Sequence, residues 1–261
     1  MNLQQLNAFF AAHPHIDQER WMALGKPCVD IAIKDESPAL ENSRFGGPAW
    51  LPPDISWPQA EIGWYEFLGQ INFSEIAQPP DPLPSNGLLS LFFNMDEEGE
   101  VFWGDDGFIY GIYIPEMQNC IVTMNPHNVQ GEPYYPQGFA GLKLSLSTGI
   151  DVPISGYLQV DWPEDKDMVL SALGGRYDDE GWFQYSDHLL GYPVDDSFGY
   201  DPRPEYRDNA DGQWFTLLSA SSHEDSEELG WQWGDGGKLM VFIEAAALAR
   251  RDFTHLKSDA G

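Results

Sequence analysis

Apolar and polar positions divide the chain into a short helical start and a long strand-rich remainder. Leu3, Leu6, Phe9 and Phe10 recur at helical spacing over residues 1–12, with Asn2 available as a cap, and predict an amphipathic first helix. A second helix is expected over 17–24, closed by Gly25 as a left-handed terminator. From Pro27 the period changes: Cys28, Val29, Ile31 and Ile33 alternate in part with Asp30 and Ala32, which is a strand signature. Apolar runs predict further strands at 66–73, 88–93, 108–114, 117–124, 141–147 and 239–243. Two later helices are expected, at 161–173 with Asp161 as cap and Gly174-Gly175 as its end, and at 244–251, which places Arg250 and Arg251 at the negative end of the helix dipole. The expected fold class is therefore α+β, mainly antiparallel β, with the amino-terminal helices packed on the sheet.

Two segments break this pattern. Residues 37–58 are rich in Gly, Pro and Trp, and prolines remove backbone donors and hold their predecessors extended, so an ordered loop without regular structure is expected, with Trp50 and Trp57 packed onto the sheet. Residues 194–212 are polar and form the expected mobile loop.

A repeat is visible within the pattern. Trp103-Gly104-Asp105-Asp106-Gly107 and Trp233-Gly234-Asp235-Gly236-Gly237 are nearly identical, and Leu88-Leu89-Ser90 and Leu217-Leu218-Ser219 precede them at almost the same distance. Each unit reads as strand, acidic loop, short strand, Gly turn and strand. The expectation is an internal duplication of two related β units, about 37–125 and 186–253, within a single domain spanning 1–261.

Charge narrows the functions. Against 42 acidic residues stand 13 basic ones, a formal net charge of −29. Neutralising phosphates requires Lys and Arg, so nucleic acid is excluded as a partner, and anionic membrane surfaces are disfavoured for the same reason. No apolar run approaches the roughly 20 residues that span a bilayer. The amino terminus lacks a secretory pattern, and Cys28 and Cys120 read as free thiols in a cytoplasmic protein.

Ser43-Arg44-Phe45-Gly46-Gly47-Pro48, Leu51-Pro52, Trp57-Pro58 and Phe67-Leu68-Gly69-Gln70-Ile71-Asn72, followed by His188-Leu189-Leu190-Gly191-Tyr192-Pro193, Trp233-Gly234-Asp235-Gly236-Gly237 and Arg251-Asp252-Phe253, resemble in order the YwqG-like family of uncharacterised bacterial proteins. The resemblance implies a cytosolic, mainly β or α+β domain with an internal duplication, and no assigned catalytic residues. One departure bears on any shared polar site: where the family carries Gln and Asp after the second Leu-Leu pair, this chain has Ser219-Ala220-Ser221-Ser222.

Motifs for phosphate loops, dinucleotide binding, nucleophile elbows, zinc helices and EF-hands are missing from the sequence, so it names no reaction, and the leading expectation is no cofactor or metal. The candidate ligand-binding residues of a cleft between the halves are Arg44, Trp50, Asp105, His188, Trp233 and Asp235. An Asp beside Gly is first of all turn chemistry, His188 has an alternative role bonding a loop carbonyl, and Arg44 has one tying its Gly-Gly-Pro loop to a carboxylate. The leading expectation is a binding protein that engages a basic protein partner, in the manner of an antitoxin or immunity protein. The alternative is a small-molecule-binding protein or hydrolase using the cleft. A third reading places calcium on the acidic loops.

Overall fold

A computed structural model describes residues 3–127, 134–153, 158, 160–174, 187–193, 213–226, 229–233 and 237–260. Fourteen strands and four helices are assigned among them. Ten strands form one sheet, from one end to the other: β14 (Lys257–Ala260), β13 (Lys238–Glu244), β10 (Trp214–Ser221), β9 (Asp187–Leu190), β1 (Lys26–Ile33), β8 (Leu142–Asp151), β2 (Arg44–Phe45), β4 (Trp64–Asn72), β5 (Leu88–Met95) and β6 (Ile109–Ile114). All pairings are antiparallel.

The sheet curls until its two ends meet, giving a nearly closed barrel. At the seam Gly111 N of β6 donates to Phe253 O just before β14 at 2.9 Å, Lys257 Nζ pairs with Asp106, and Ser258 Oγ donates to Trp103 O. Glycine is required at this seam for space: a Cβ on Gly111 would stand 2.7 Å from Phe253 Cβ and 2.9 Å from its carbonyl oxygen. Gly111→Val is expected to cost about 2 kcal/mol or more by overpacking, read as a lowered urea midpoint; an unchanged midpoint would mean the ends are not in register.

Alternation along β5 decides what lies inside. Leu89, Leu91 and Phe93 join the central apolar cluster with Val29, Ile31, Leu68, Ile71, Trp233 and Val241. Leu88 and Phe92 point the other way and pack with Tyr65, Phe67 and Ile114 beneath β3 (Ala49–Leu51), which pairs with β7 (Ile121–Thr123) as a separate two-stranded sheet. A third cluster joins α1 (Leu3–Ala12) and α2 (Gln18–Ala23) to α3 (Lys166–Gly174) and the end of β8: Leu6, Phe9, Phe10 and Trp21 are buried with Val152 and Val169. Asp165 ties this layer, accepting from Trp21 Nε1 at 2.8 Å and from Asp17 N at 2.9 Å. The last helix, α4 (Ala245–Arg250), ends at a left-handed Arg251.

Several expectations are corrected. The segment 37–58 contains two short strands, β2 and β3, because residues 44–45 and 49–51 find partners far away in sequence. Gly25 does not terminate α2 with positive φ; Leu24 caps in the right-handed region, and glycine is needed because a Cβ would lie 2.7 Å from Ile150 Cγ2. Helix α3 starts at Lys166, after Pro163 and not at it, and the strand expected over 117–124 shortens to β7. The loop expected over 194–212 lies outside the described residues.

The two Leu-Leu-Ser segments also take unlike places. The first opens β5 between β4 and β6, while the second lies on β10 between β9 and β13. Counting outward from the central pair β1 and β8, β10 instead shares its rank with β4. Both carry a bulge against the next strand out, between Phe67 and Gly69 opposite β5 and between Thr216 and Leu218 opposite β13. The innermost flanking strands, β2 and β9, end in matching left-handed pairs: Gly46 and Gly47 at φ 64° and 77°, Leu190 and Gly191 at φ 63° and 79°.

Candidate functional site

The predicted residues do not gather in one cleft. Arg44 and His188 lie on β2 and β9, with β1 and β8 between them, roughly 14 Å apart at about 4.8 Å per interstrand step. They do the same job. Arg44 Nη2 donates to Pro48 O and Nη1 donates to Leu40 O at 2.5 Å, while the His188 ring faces Tyr192 O at 3.0 Å through Nε2, which must carry the proton because a carbonyl only accepts. Each buried side chain thus bonds the carbonyl four residues on, across its left-handed turn. Among the described residues Arg44 meets carbonyls and no carboxylate, with its guanidinium 5.7 Å from the Phe67 ring; burial pulls its pKa down to about 10, so it is charged at neutral pH. Near His188, Asp151 Oδ2 stands 4.0 Å from Nε2 and accepts from Tyr192 N at 2.7 Å. Cys28 is buried close by and its thiol is pushed up to about 12, chiefly by desolvation, so it does not supply a thiolate nucleophile.

Asp105 makes a turn: its Oδ2 accepts from Phe102 N at 2.8 Å on the surface. Trp50 is half-buried on β3 over the outer cluster. Asp235 lies outside the described residues. Among the described residues, no three His, Cys, Asp or Glu side chains are grouped to hold a metal ion. In the acidic loop after β5, Asp96 accepts from Glu100 N and Val101 N, and these backbone donors help lower its pKa.

Trp233, like Arg44 with its Nε, keeps a buried donor without a partner among the described residues. It is 3% exposed and packs edge-on against Phe93 with ring centroids 5.5 Å apart, inside the barrel, yet among the described residues its indole Nε1 has no hydrogen-bond partner. Its backbone is held by Ser222 Oγ, which accepts from Trp233 N at 2.8 Å. Tyr134 approaches the same Phe93 from another direction, at 5.4 Å and 73°. Directly opposite Phe93 on β4 stands Glu66, so the two side chains leave the same face of the sheet about 5 Å apart.

Sequence reading passed over Glu66, although a lone carboxylate within the apolar strand β4 was the signal available. It is 3% exposed. Its Oε1 accepts from Trp64 Nε1 at 2.8 Å and from Asn125 Nδ2 at 2.7 Å, whereas its Oε2 accepts nothing among the described residues. His127 stacks on Trp64 at 3.8 Å, and Asn125 Oδ1 accepts from His127 N, so the two donors are themselves held in place. Desolvation raises the Glu66 pKa, opposed by the bonds from Asn125 and Trp64 and by His127. The Tyr134 hydroxyl is pushed up to about 12 by burial and by the Glu66 charge; Tyr135 is raised further and donates to Phe67 O at 2.9 Å. A raised carboxyl with one unused oxygen, set among aromatic rings that share Phe93 with an unused indole donor, has the make-up of a ligand site.

The sign of the Glu66 shift sets a test. Its folded pKa lies above the unfolded value, so the associated stability is full at acid pH and is lost as pH rises through the folded value. Glu66→Gln keeps a carbonyl oxygen for Trp64 and Asn125 while removing the charge. The variant is expected to melt above the wild type at pH 7 and to match it near pH 4; a gap that widens on acidification would contradict the assignment.

The matched spans now bear on what this barrel is. A model of the family described as Domain of unknown function (DUF1963) matches residues 43–258. The chain belongs to that family. The matched span of this DUF1963 protein runs from the residue before β2 into β14, so Arg44, Glu66, Tyr134, His188 and Trp233 all fall within it, and only the central strand β1 and the first two helices precede it. No curated protein is significantly similar in sequence. No helix is long and apolar enough to cross a membrane, among the described residues.

Proposed function

We propose that this DUF1963 protein binds a small molecule inside its barrel, where Glu66, Tyr134 and Trp233 converge on Phe93. One observation carries the reading. Glu66, Tyr134 and Trp233 all neighbour Phe93, and Glu66 Oε2, the Tyr134 hydroxyl and Trp233 Nε1 have no protein partner among the described residues. A buried donor left unbonded, as Trp233 Nε1 is, costs about 1–3 kcal/mol, a cost that a ligand acceptor would repay. The chemistry supports binding better than catalysis: the described carboxylate lacks a nearby nucleophile or a second acid with which to share a proton. A ligand present at 100 times its dissociation constant adds about 2.7 kcal/mol of stability. Thermal melts against a metabolite library are expected to show such a shift for the wild type and to lose it for Trp233→Phe; equal shifts in both proteins would sink the reading.

A second reading has its own support. Ile121, Val122 and Met124 are 51%, 45% and 61% exposed on and beside β7, in a chain of net charge −29. A basic protein with an apolar anchor suits that surface, as an antitoxin- or immunity-like pairing would. Capture at low salt that survives Met124→Asp would argue against it.

The finer description of the fold belongs to the same proposal. The paired bulges, the matching left-handed turns and the shared bond from Arg44 and His188 to a carbonyl four residues on support an internal duplication that relates β2, β4, β5 and β6 to β9, β10, β13 and β14. On this alignment Gln70 corresponds to Ser219, since Arg44 pairs with Gln70 and His188 with Ser219. The YwqG-like segments support a narrower assignment within the family, and two free cysteines suit a cytoplasmic protein.

A further inference from the structure

We propose that the molecule held at Glu66 is an organic ammonium with a hydroxyl or ether oxygen nearby, of the amino-alcohol class; this rests on the binding reading above. The argument begins with what the protein withholds. Both donors to Glu66 are neutral N–H groups, and both go to Oε1. Among the described residues no Lys or Arg pairs with it, in a chain that has only 13 such residues. A desolvated carboxylate gains most from a charge-assisted bond, which a ligand N⁺–H or a close quaternary nitrogen can supply to Oε2.

The walls favour the same charge. The surroundings of the carboxylate are aromatic: Phe93 and Tyr134 meet edge to face, and Trp64, whose N–H edge donates to Glu66, is stacked on His127. Aromatic faces with one carboxylate are the complement of an ammonium group. The surrounding field agrees, since a net charge of −29 attracts cations and repels anions. Trp233 Nε1 offers the opposite polarity, a donor that needs an acceptor. A carboxylate acceptor would face repulsion from Glu66 and from the acidic chain; a hydroxyl or ether oxygen would not. Those two requirements together select an amino alcohol over an amino acid.

Calorimetric titration of the full chain tests this with choline, ethanolamine, a panel of primary to quaternary amines, and 3,3-dimethylbutan-1-ol, the uncharged isostere of choline. The ammonium compounds are expected to bind at least about tenfold more tightly than the isostere. Glu66→Gln should bring the affinities of choline and its isostere to within about twofold of each other, and Trp233→Phe should weaken every hydroxyl-bearing probe. Binding of the isostere as tightly as choline, or a preference that persists in Glu66→Gln, overturns the ammonium class but leaves the site. Binding by none of the probes, charged or uncharged, overturns the class and counts against the site as well. Melting curves show that each variant is folded before titration.

Discussion

Arg44→Ala is expected to lower the melting temperature by about 10 °C, because it removes a cation that the fold has buried to hold backbone carbonyls. The guanidinium is 1% exposed and donates to Leu40 O, Asn42 O and Pro48 O. Gln70 Nε2 also donates to the first two, at 2.7 and 2.8 Å, so those carbonyls keep a partner in the variant. Pro48 O does not, and the emptied volume lies against Phe67. Losing a charged hydrogen bond and leaving a buried acceptor costs about 3–5 kcal/mol in all, and a chain of this size shifts by about 2–4 °C per kcal/mol. Arg44→Lys is expected to recover about half, since an ammonium reaches one carbonyl but lacks the planar fork that spans two. Thermal melts decide the matter: an Arg44→Ala protein within about 2 °C of the wild type would show that Arg44 is held for a ligand and not for its loop.

Gly47→Ala is the more severe change. Gly47 sits at φ 77°, where an L side chain is strained, and its Cβ would abut Ala140 O and stand 2.6 Å from Ala140 C and 2.9 Å from Gly141 N. All three are backbone atoms and cannot rotate away. Strain and overlap together are expected to cost about 4 kcal/mol or more, lowering the urea midpoint until little folded protein remains at 37 °C. Its neighbour gives the control. A Cβ on Gly46, at φ 64°, would meet only the rings of Phe139 and Tyr135, at 2.8 and 3.0 Å, which can turn. Gly46→Ala should therefore be the milder variant; the reverse order would contradict the packing of residues 140–141 under this turn.

These two residues illustrate what the sequence made legible. Phe45-Gly46-Gly47-Pro48 stood out as a loop of glycine and proline, and the turn is there. That Arg44 and Phe45 form a strand was not readable, because their partners Gln70 and Lys143 lie 26 and 99 residues away. The long apolar runs of β4, β5, β6 and β13 were plain, since a strand buried on both faces needs nothing but its own composition to be seen. Short β9 and β14 were not, and they complete the barrel. The Trp-Gly-Asp runs suggested one correspondence between halves, yet left-handed turns and bulges support another, because strand identity in a sheet is fixed by neighbours and not by local strings such as Leu-Leu-Ser. The candidate site divides the same way. Trp233 was flagged from its motif, whereas Glu66 becomes conspicuous only when Tyr134, 68 residues later, and Trp233, 167 residues later, are both brought against Phe93.

The indole proton of Trp233 tests the proposed ligand site more directly than any stability measurement. Nitrogen-15 spectra of the full chain resolve the indole signals of its ten tryptophans, and Trp233→Phe identifies the one that matters. Trp21 and Trp57 serve as internal references, because their Nε1 atoms already donate to Asp165 and to Tyr65 O. With a binding small molecule present, the Trp233 indole signal is expected to move downfield as its proton gains an acceptor, with a smaller change at Trp64 and none at Trp21 or Trp57. A ligand that stabilises the protein while leaving the Trp233 signal where it was would contradict the account and place the site elsewhere.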